Sequence, residues 1–494
     1  MKKIKSLITP INILVFLILL IAFVVRIYGV NRLLGFYYDQ GRDALVIWDL
    51  WHKGKMFLIG PTTGIEGIFR GPWYYWLIAP FYLIGLGNPV FPSVFLALTS
   101  VVAIGFLYVL GTKMVSKEAG IMAVIIAAFS YRLVMASRWL SNPTPMLLLS
   151  ALLLWGMFKV IDGKKWGWPI IAFTSGLSLF NFGSAAEVFY FPALLIFILW
   201  QRKNLPDKKN LIWSIVLFTA SFLPLVLFEL KHGFVLTQNI KKFLVTDKSF
   251  SLPSWVFISD KLKFYNDVFL NKIFYFMYEK ERVLFGGLIL IFSFCLNRLL
   301  HNKYFKAAFL VFCSPLVGLI FFQGNFGNIY DYYLTGYYLI FVLLIASSLG
   351  LLWKGKLSKV IVLLFFFLFL GSNIKPLIAT LTDKADDTQS VAFVNQKKAL
   401  DWIYADSEGR EFNVDVYVPP VIPYAYNYLF KWYGESKHQR LPLEERRPLL
   451  YTLYEIDSPH PERLNAWLAR QKGIGKVEEK IQFGGITVER RIRL

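Results

Sequence analysis

After the first long apolar run, the stretch GFYYDQGRDALVIWDLW (residues 35–51) places Asp39 and Asp43 four positions apart, with Arg42 beside them. In a helix the two carboxylates project from one face. A carboxylate so placed can accept a proton from a hydroxyl, and the adjacent guanidinium can hold an anion. Tyr37, Tyr38, Trp48 and Trp51 suit a boundary between an apolar body and lipid headgroups. The plainer reading is a solvated or internally paired surface segment. The chain continues GPTTGIEGIFRGPWYYW (60–76), where four glycines between 60 and 71 predict a shaped turn rather than a helix. Glu66 and Arg70 are i,i+4 partners if any helix forms there, a spacing that more often makes a local salt bridge than a catalytic pair.

More polar groups fall at the predicted outer ends of apolar runs. Arg138 stands in ASRWLSNPTP, Lys231 and His232 in LFELKHGF, and Gln323, Asn325, Asn328, Tyr330, Asp331, Tyr332 and Tyr333 lie together between two runs. Each alone reads as a cap, a snorkelling side chain or an aromatic anchor. Together they put cations, hydroxyls and carboxylates on one side of a membrane. Glu187 and Glu229 lie nearer the hydrocarbon, where a carboxylate is costly unless paired. No GxxxxGK[ST] or Rossmann fingerprint offers a nucleotide a seat. A lipid-borne phosphate fits instead, since Arg and Lys can hold it and stabilise it as it leaves.

The elements that must position these groups follow from composition. The 494 residues are 56% hydrophobic and 17% charged, too apolar for a soluble protein, so a polytopic all-α membrane protein is expected. The net charge of +21 is concentrated in short connectors such as 111–117, 162–167, 201–210, 297–306 and 353–359, which points to anionic membrane lipids and not to nucleic acid. Eleven spans are expected, near 9–28, 91–110, 118–136, 144–160, 168–181, 184–200, 211–229, 284–300, 306–323, 333–352 and 357–373. With the N-terminus cytoplasmic, all five basic connectors then face the cytoplasm. The run 72–87 is short and broken by Pro80, and reads as a re-entrant or interfacial helix; if it crosses, the count rises toward thirteen. The basic, apolar N-terminus lacks a clear cleavage site and reads as a retained first span. Cys295 and Cys313 sit in apolar runs and read as packing residues.

The membrane region is expected over 1–376, with outer-face loops at 29–90 and 231–283, the latter carrying interfacial amphipathic helices. Residues 377–494 read as a small extracytoplasmic α/β domain, with strands near 414–418 and 448–456 and helices near 389–404 and 460–471.

The motif YYDQGRDA, the run RGPWYYWLIAP and this order of elements resemble the polyprenyl-phosphate-sugar-dependent glycosyltransferases of the GT-C fold. The likeness lies near the family 39 protein mannosyltransferases and the aminoarabinose transferases of lipid A. The resemblance implies 11–13 spans in the plasma membrane and inverting transfer of a hexosyl or pentosyl group from a polyprenyl-phosphate sugar to a hydroxyl. The acceptor would be a glycolipid, a glycan or a protein. It makes Asp39 the catalytic base, with Asp43 as a second acid and Asp49 left to helix solubility or pairing. Arg138 and Lys231, then His232, Arg42 and Arg70, are the expected phosphate-binding cations. Glu66, Tyr330, Tyr333 and Tyr337 are expected to line the substrate site. Relatives often carry a second acid where this chain has Gln40, another where it has Asn142, and a proline where it has Gly71. A divalent cation, Mg2+ or Mn2+ on Asp39, Asp43 or Glu66, would therefore have at most a modest role. A transporter or flippase of lipid-linked sugars is the alternative, and it predicts related halves and a polar path to the cytoplasm. A non-catalytic scaffold predicts that the carboxylates of 36–43 are dispensable.

Overall fold

A computed structural model describes residues 9–493 except 66, 248, 276–280, 325–326 and 420–421, with backbone only for 281–285. The first helix, α1 (Pro10–Ile27), starts where Pro10 presets the first turn and Thr9 Oγ1 accepts from Asn12 N at 3.2 Å. Next come α2 (Tyr38–Lys53), α3 (Trp73–Ile84), α4 (Val90–Met114), α5 (Lys117–Phe129) and α6 (Tyr131–Ser137). α7 (Met146–Ile161), α8 (Gly167–Leu177), α9 (Tyr190–Trp200) and α10 (Lys208–Lys231) follow. α11 (Val235–Lys241) and α12 (Trp255–Tyr265) occupy the expected excursion, and α13 (Glu281–Leu300), α14 (Lys303–Ile320), α15 (Thr335–Leu352) and α16 (Lys356–Thr382) complete the bundle. α15 is buried over almost its whole length and forms the hub around which the others pack.

Each of the eleven expected spans falls on helix. Among the described residues six helices are long and apolar enough to cross a membrane, or seven if α5 and α6, bent by 68°, form one span. Apolar helices over Met146–Ile161 and Ala185–Trp200 are shorter. A hydropathy window sees an apolar run but not the breaks within it. Between α8 and α9 the chain widens into a π-turn at Ser178–Phe182 and tightens into a 3-10 turn at Ala185–Phe189. α3, at 12 residues, is too short to cross, in keeping with a re-entrant or interfacial helix.

The bend after α5 frees carbonyl groups, and a buried cation meets them. Arg26 of α1 donates from Nη2 to Ala127 O at 2.9 Å and from Nη1 to Ala128 O at 3.2 Å. Backbone carbonyls thus meet both terminal nitrogens of this interior cation.

α16 runs through Pro376 to Thr382, and the elements of the C-terminal extramembrane domain follow it. α17 (Phe393–Asp406) leads into a four-stranded sheet of β1 (Asn413–Tyr417), β2 (Leu449–Glu455), β3 (Gly475–Phe483) and β4 (Ile486–Arg493). The strand order is β1-β2-β4-β3, with β1 parallel to β2 and the other pairs antiparallel. β2 is buried at every position, as a central strand covered on both faces requires. Between β1 and β2 lies α18 (Tyr424–Leu429), continued by a π-turn over Phe430–His438, and α19 (Pro461–Lys472) precedes β3. α18 packs directly on α2, which seats the domain against the acidic motif.

Candidate active site

Gln40 fixes the start of α2. Its Oε1 accepts from Tyr37 N at 3.1 Å and its Nε2 donates to Leu140 O at 3.0 Å, so this buried amide both caps the helix and pins it to the turn after α6. That leaves Asp39 in the first turn with its side chain 52% exposed, while Asp43, one turn on, is 5% exposed. Arg42 lies between them. Its Nη1 is 2.9 Å from Asp39 Oδ1 and donates to Thr62 Oγ1 at 2.9 Å. Its Nε and Nη2 both reach Asp43 Oδ1, at 2.9 and 2.8 Å, and the Tyr75 hydroxyl donates to the same oxygen at 2.9 Å. Burial raises the Asp43 carboxyl to about 6, and Arg42 and Tyr75 keep it from rising further. Asp43 is therefore placed to orient Arg42, and Asp39 is the carboxylate that faces outward.

The turn over 60–71 is a tight hairpin. Thr62 bridges Phe69, Gly60 N donates to Arg70 O at 2.7 Å, and Arg70 N donates to Pro61 O at 3.2 Å. Glycine is required at two points: a Cβ on Gly60 would lie 2.1 Å from Gly71 O, and one on Gly71 would lie 2.0 Å from Asn181 Oδ1. The hairpin thus presses against the broken segment after α8. One strand carries Thr62, which holds Arg42, and the other ends in Arg70. Burial lowers the Arg70 guanidinium from its usual range, while Glu187, Tyr332 and Tyr333 act on it in the opposite sense. Among the described residues the Arg70 side chain has no hydrogen-bond or ion-pair partner. Glu66, expected to pair with it, lies outside the described residues.

The aromatic cluster before α15 faces this cation. Tyr330 stacks on Tyr332 at 5.5 Å, Tyr332 meets Tyr333 at 5.0 Å, and Trp139 approaches Tyr332 at 6.0 Å. Ser184 Oγ donates to Tyr333 O at 3.0 Å and to Glu187 Oε2 at 3.1 Å, tying the cluster to the 3-10 turn. Glu187 is buried with Oε1 unpartnered among the described residues. Tyr337 is fully buried and donates to Ala186 O at 3.3 Å, the setting of a packing residue rather than a substrate contact. Beyond Tyr330, Asp331 pairs with Arg132 and with Lys272, the latter at 3.2 Å.

The other expected cations sit elsewhere. Arg138 donates from Nη1 to Val25 O, Arg26 O and Tyr28 O at 3.1, 2.9 and 2.9 Å, and so caps α1. Lys231 and His232 are exposed at the end of α10, with the His232 ring stacked on Phe228 at 4.1 Å. Phe228 in turn packs edge-on against Phe69 at 5.9 Å, which puts this pair on the far flank of the hairpin. Among the described residues no group of three or more His, Cys, Asp or Glu converges. Asp39 and Asp43 share Arg42 rather than a vacant centre, and the neighbouring Gln40 has both amide atoms engaged. This donor set does not fit a divalent cation.

Sequence reasoning missed Thr62, Trp139 and Ser184, whose types carry no signal without the contacts that recruit them. It also missed the reason for Gly41: a Cβ there would lie 2.3 Å from Ala425 N, so glycine lets the backbones of α2 and α18 touch beside Asp39.

Comparison with known proteins agrees with this architecture. Residues 70–228 match the family described as dolichyl-phosphate-mannose-protein mannosyltransferase, a match that takes in Arg70 and the WYYW run but not the Asp39 motif. No curated protein matches the chain in sequence. Among solved structures, ArnT from Cupriavidus metallidurans, bound to undecaprenyl phosphate, superposes with a TM-score of 0.63 over 97% of both chains at 9% identity. The oligosaccharyltransferase AglB from Archaeoglobus fulgidus, in complex with an inhibitory peptide and a dolichol-phosphate, matches with a TM-score of 0.50 at 13% identity, over 96% of this chain and 74% of its own. The chain has the GT-C fold that its motifs led us to expect.

Proposed function

We propose that the protein transfers a glycosyl group from a polyprenyl-phosphate-linked sugar to a hydroxyl of a glycolipid, glycan or protein at the outer face of the plasma membrane. One observation carries this reading: the outward-facing Asp39 and Arg70, which has no hydrogen-bond or ion-pair partner among the described residues, are linked through Arg42 and the Thr62–Phe69 bridge. The polyprenyl phosphates bound by ArnT and AglB, and the description of the matching family, support the donor class.

In this mechanism Asp39 takes the acceptor hydroxyl proton as the oxygen attacks the anomeric carbon. The bond from that carbon to the phosphate oxygen breaks, its electron pair goes to the phosphate, and configuration inverts. Arg70 holds the phosphate and stabilises the charge that grows on it. Arg42, bound to Asp43, keeps Asp39 in place. Tyr330 and Tyr332 form an aromatic wall for the sugar or the first isoprene units. Arg138 serves α1, and Lys231 and His232 contact the donor only at its outer edge. With Arg42 between the carboxylates, a divalent cation has at most a modest part in this mechanism. The N-terminus lies in the cytoplasm and the sheet domain outside, as the basic connectors suggest.

The test is donor turnover by the purified protein in nanodiscs, with a chelator present, across radiolabelled undecaprenyl- and dolichyl-phosphate hexoses and pentoses. Release of label from at least one lipid to water or an added acceptor is expected. Intact donors throughout the panel would overturn the proposal.

A further inference from the structure

A second site lies on the same helix as Asp39. Between the C-terminal half of α2, the end of α3 and the turn after α18 there is a crevice of about 390 Å³, a volume within the range of small-molecule sites. Its floor is aromatic and rigid. The Trp48 ring meets Tyr428 edge-on at 6.0 Å, and Tyr428 stacks on Trp432 at 6.2 Å. Two hydrogen bonds lock this floor to the end of α3: Tyr428 Oη donates to Gly87 O at 2.5 Å and Trp432 Nε1 donates to Leu86 O at 2.8 Å. Gly87 has φ +88°, and a Cβ there would lie 2.3 Å from Trp432, so the turn closes only on glycine.

The mouth has a different character. Trp51 stands 44% exposed at its edge. The His52 ring stacks on Trp48 at 3.8 Å with Nδ1 against Trp48 O at 2.9 Å, which leaves Nε2 outward. Glu435 and Ser436 are exposed there and have no hydrogen-bond partner among the described residues. Glu435 is the one fixed charge in the lining, and the nearby Lys53 and Lys55 are both paired with Asp49.

We propose that this crevice binds a neutral glycan, the part of the acceptor distant from the reacting hydroxyl. Aromatic faces take the C–H faces of sugar rings, and an unengaged carboxylate, hydroxyl and imidazole take their hydroxyls. An anionic headgroup would meet the Glu435 carboxylate, the one fixed charge in the lining. An acyl chain filling the crevice would strip water from Glu435 and Ser436 without replacing their hydrogen bonds. Trp48 and Trp51 lie nine and twelve residues beyond Asp39, roughly 14 and 18 Å along one rigid helix. A bound glycan chain would therefore be held in fixed register with the carboxylate.

The acceptor role rests on the glycosyl-transfer reading, but binding is measured without donor, so the two fail separately. The full-length protein in nanodiscs is titrated with chitotetraose, cellotetraose and mannotetraose, following tryptophan fluorescence and heat. Saturable binding of at least one is expected, weakened tenfold or more by Trp51→Ala and by Glu435→Gln, with melting temperatures held near wild type. No saturable binding overturns the proposal, as does binding that both variants retain. Quenching of Trp51 by brominated acyl chains that no saccharide relieves marks a lipid groove, and also overturns it.

Discussion

Arg42 gives two of its three nitrogens to a single oxygen of Asp43, Nε at 2.9 Å and Nη2 at 2.8 Å. That leaves Nη1 to hold Asp39 and Thr62. The two carboxylates of the acidic motif are thus unequal: one is buried to aim the arginine, and the other is presented to solvent. Asp43→Asn removes the charge that offsets a largely buried guanidinium, and breaking such a pair costs roughly 3 kcal/mol. We expect a clear fall in melting temperature together with reduced activity. A variant as stable as wild type would show that Asp43 is not the anchor.

Gly41→Ala drives a methyl group into the backbone of Tyr424 and Ala425, at 2.4 and 2.3 Å from the ideal Cβ position. Overpacking of this kind costs about 1–3 kcal/mol, here charged to the contact between the sheet domain and α2. Limited proteolysis should cut faster in the connector 383–392. Gly64→Ala, where a Cβ meets nothing within 4 Å, is the control and should leave the cleavage rate unchanged.

Arg70→Gln should act on donor binding and not on folding. Its side chain has no partner to lose among the described residues, so the melting temperature is expected to stay near wild type. A lost charge-assisted contact to phosphate is worth about 1.5–3 kcal/mol, so KM for the donor should rise by roughly tenfold or more. An unchanged KM and kcat would remove Arg70 from the donor site.

Glu455 gives the C-terminal domain a pH dependence. It is buried at the end of β2, accepts from Tyr426 Oη at 2.8 Å, and burial raises its carboxyl from 4.5 to about 7. A raised folded-state value means that folding retains a proton which the unfolded chain releases above about 4.5. Its stabilisation is therefore full below that pH and lost as pH rises to about 7, by roughly 3 kcal/mol in all. Denaturation of full-length wild type and Glu455→Gln between pH 4 and 8 should show the wild type falling more steeply. Parallel curves would contradict this assignment.

Local pattern made much of this legible, and long-range contact explains the rest. The i,i+4 spacing of Asp39 and Asp43 placed both on one helix, but Tyr75, which draws Asp43 inward, lies 32 residues away. Arg138 was visible as a cation at an outer end, yet the carbonyls that engage it belong to α1, more than a hundred residues earlier. Apolar runs marked where the bundle helices lie, while the π-turn at Ser178–Phe182 depends on tertiary fit and carries no hydropathy signature. In the C-terminal domain the apolar strands β1 and β2 stood out. β3, GKVEEKIQF, is a charged edge strand whose outward residues blunt that edge and hide it from a search for apolar alternation.

The central claim is that Asp39 is the base, and one comparison tests it most directly. Asp39→Asn and wild type are purified side by side and given the donor that wild type turns over. Because the side chain is half exposed and its pair with Arg42 adds little to stability, the variant should fold and melt as wild type does. Its transfer rate should fall by roughly a hundredfold or more. Transfer at the wild-type rate would contradict the account.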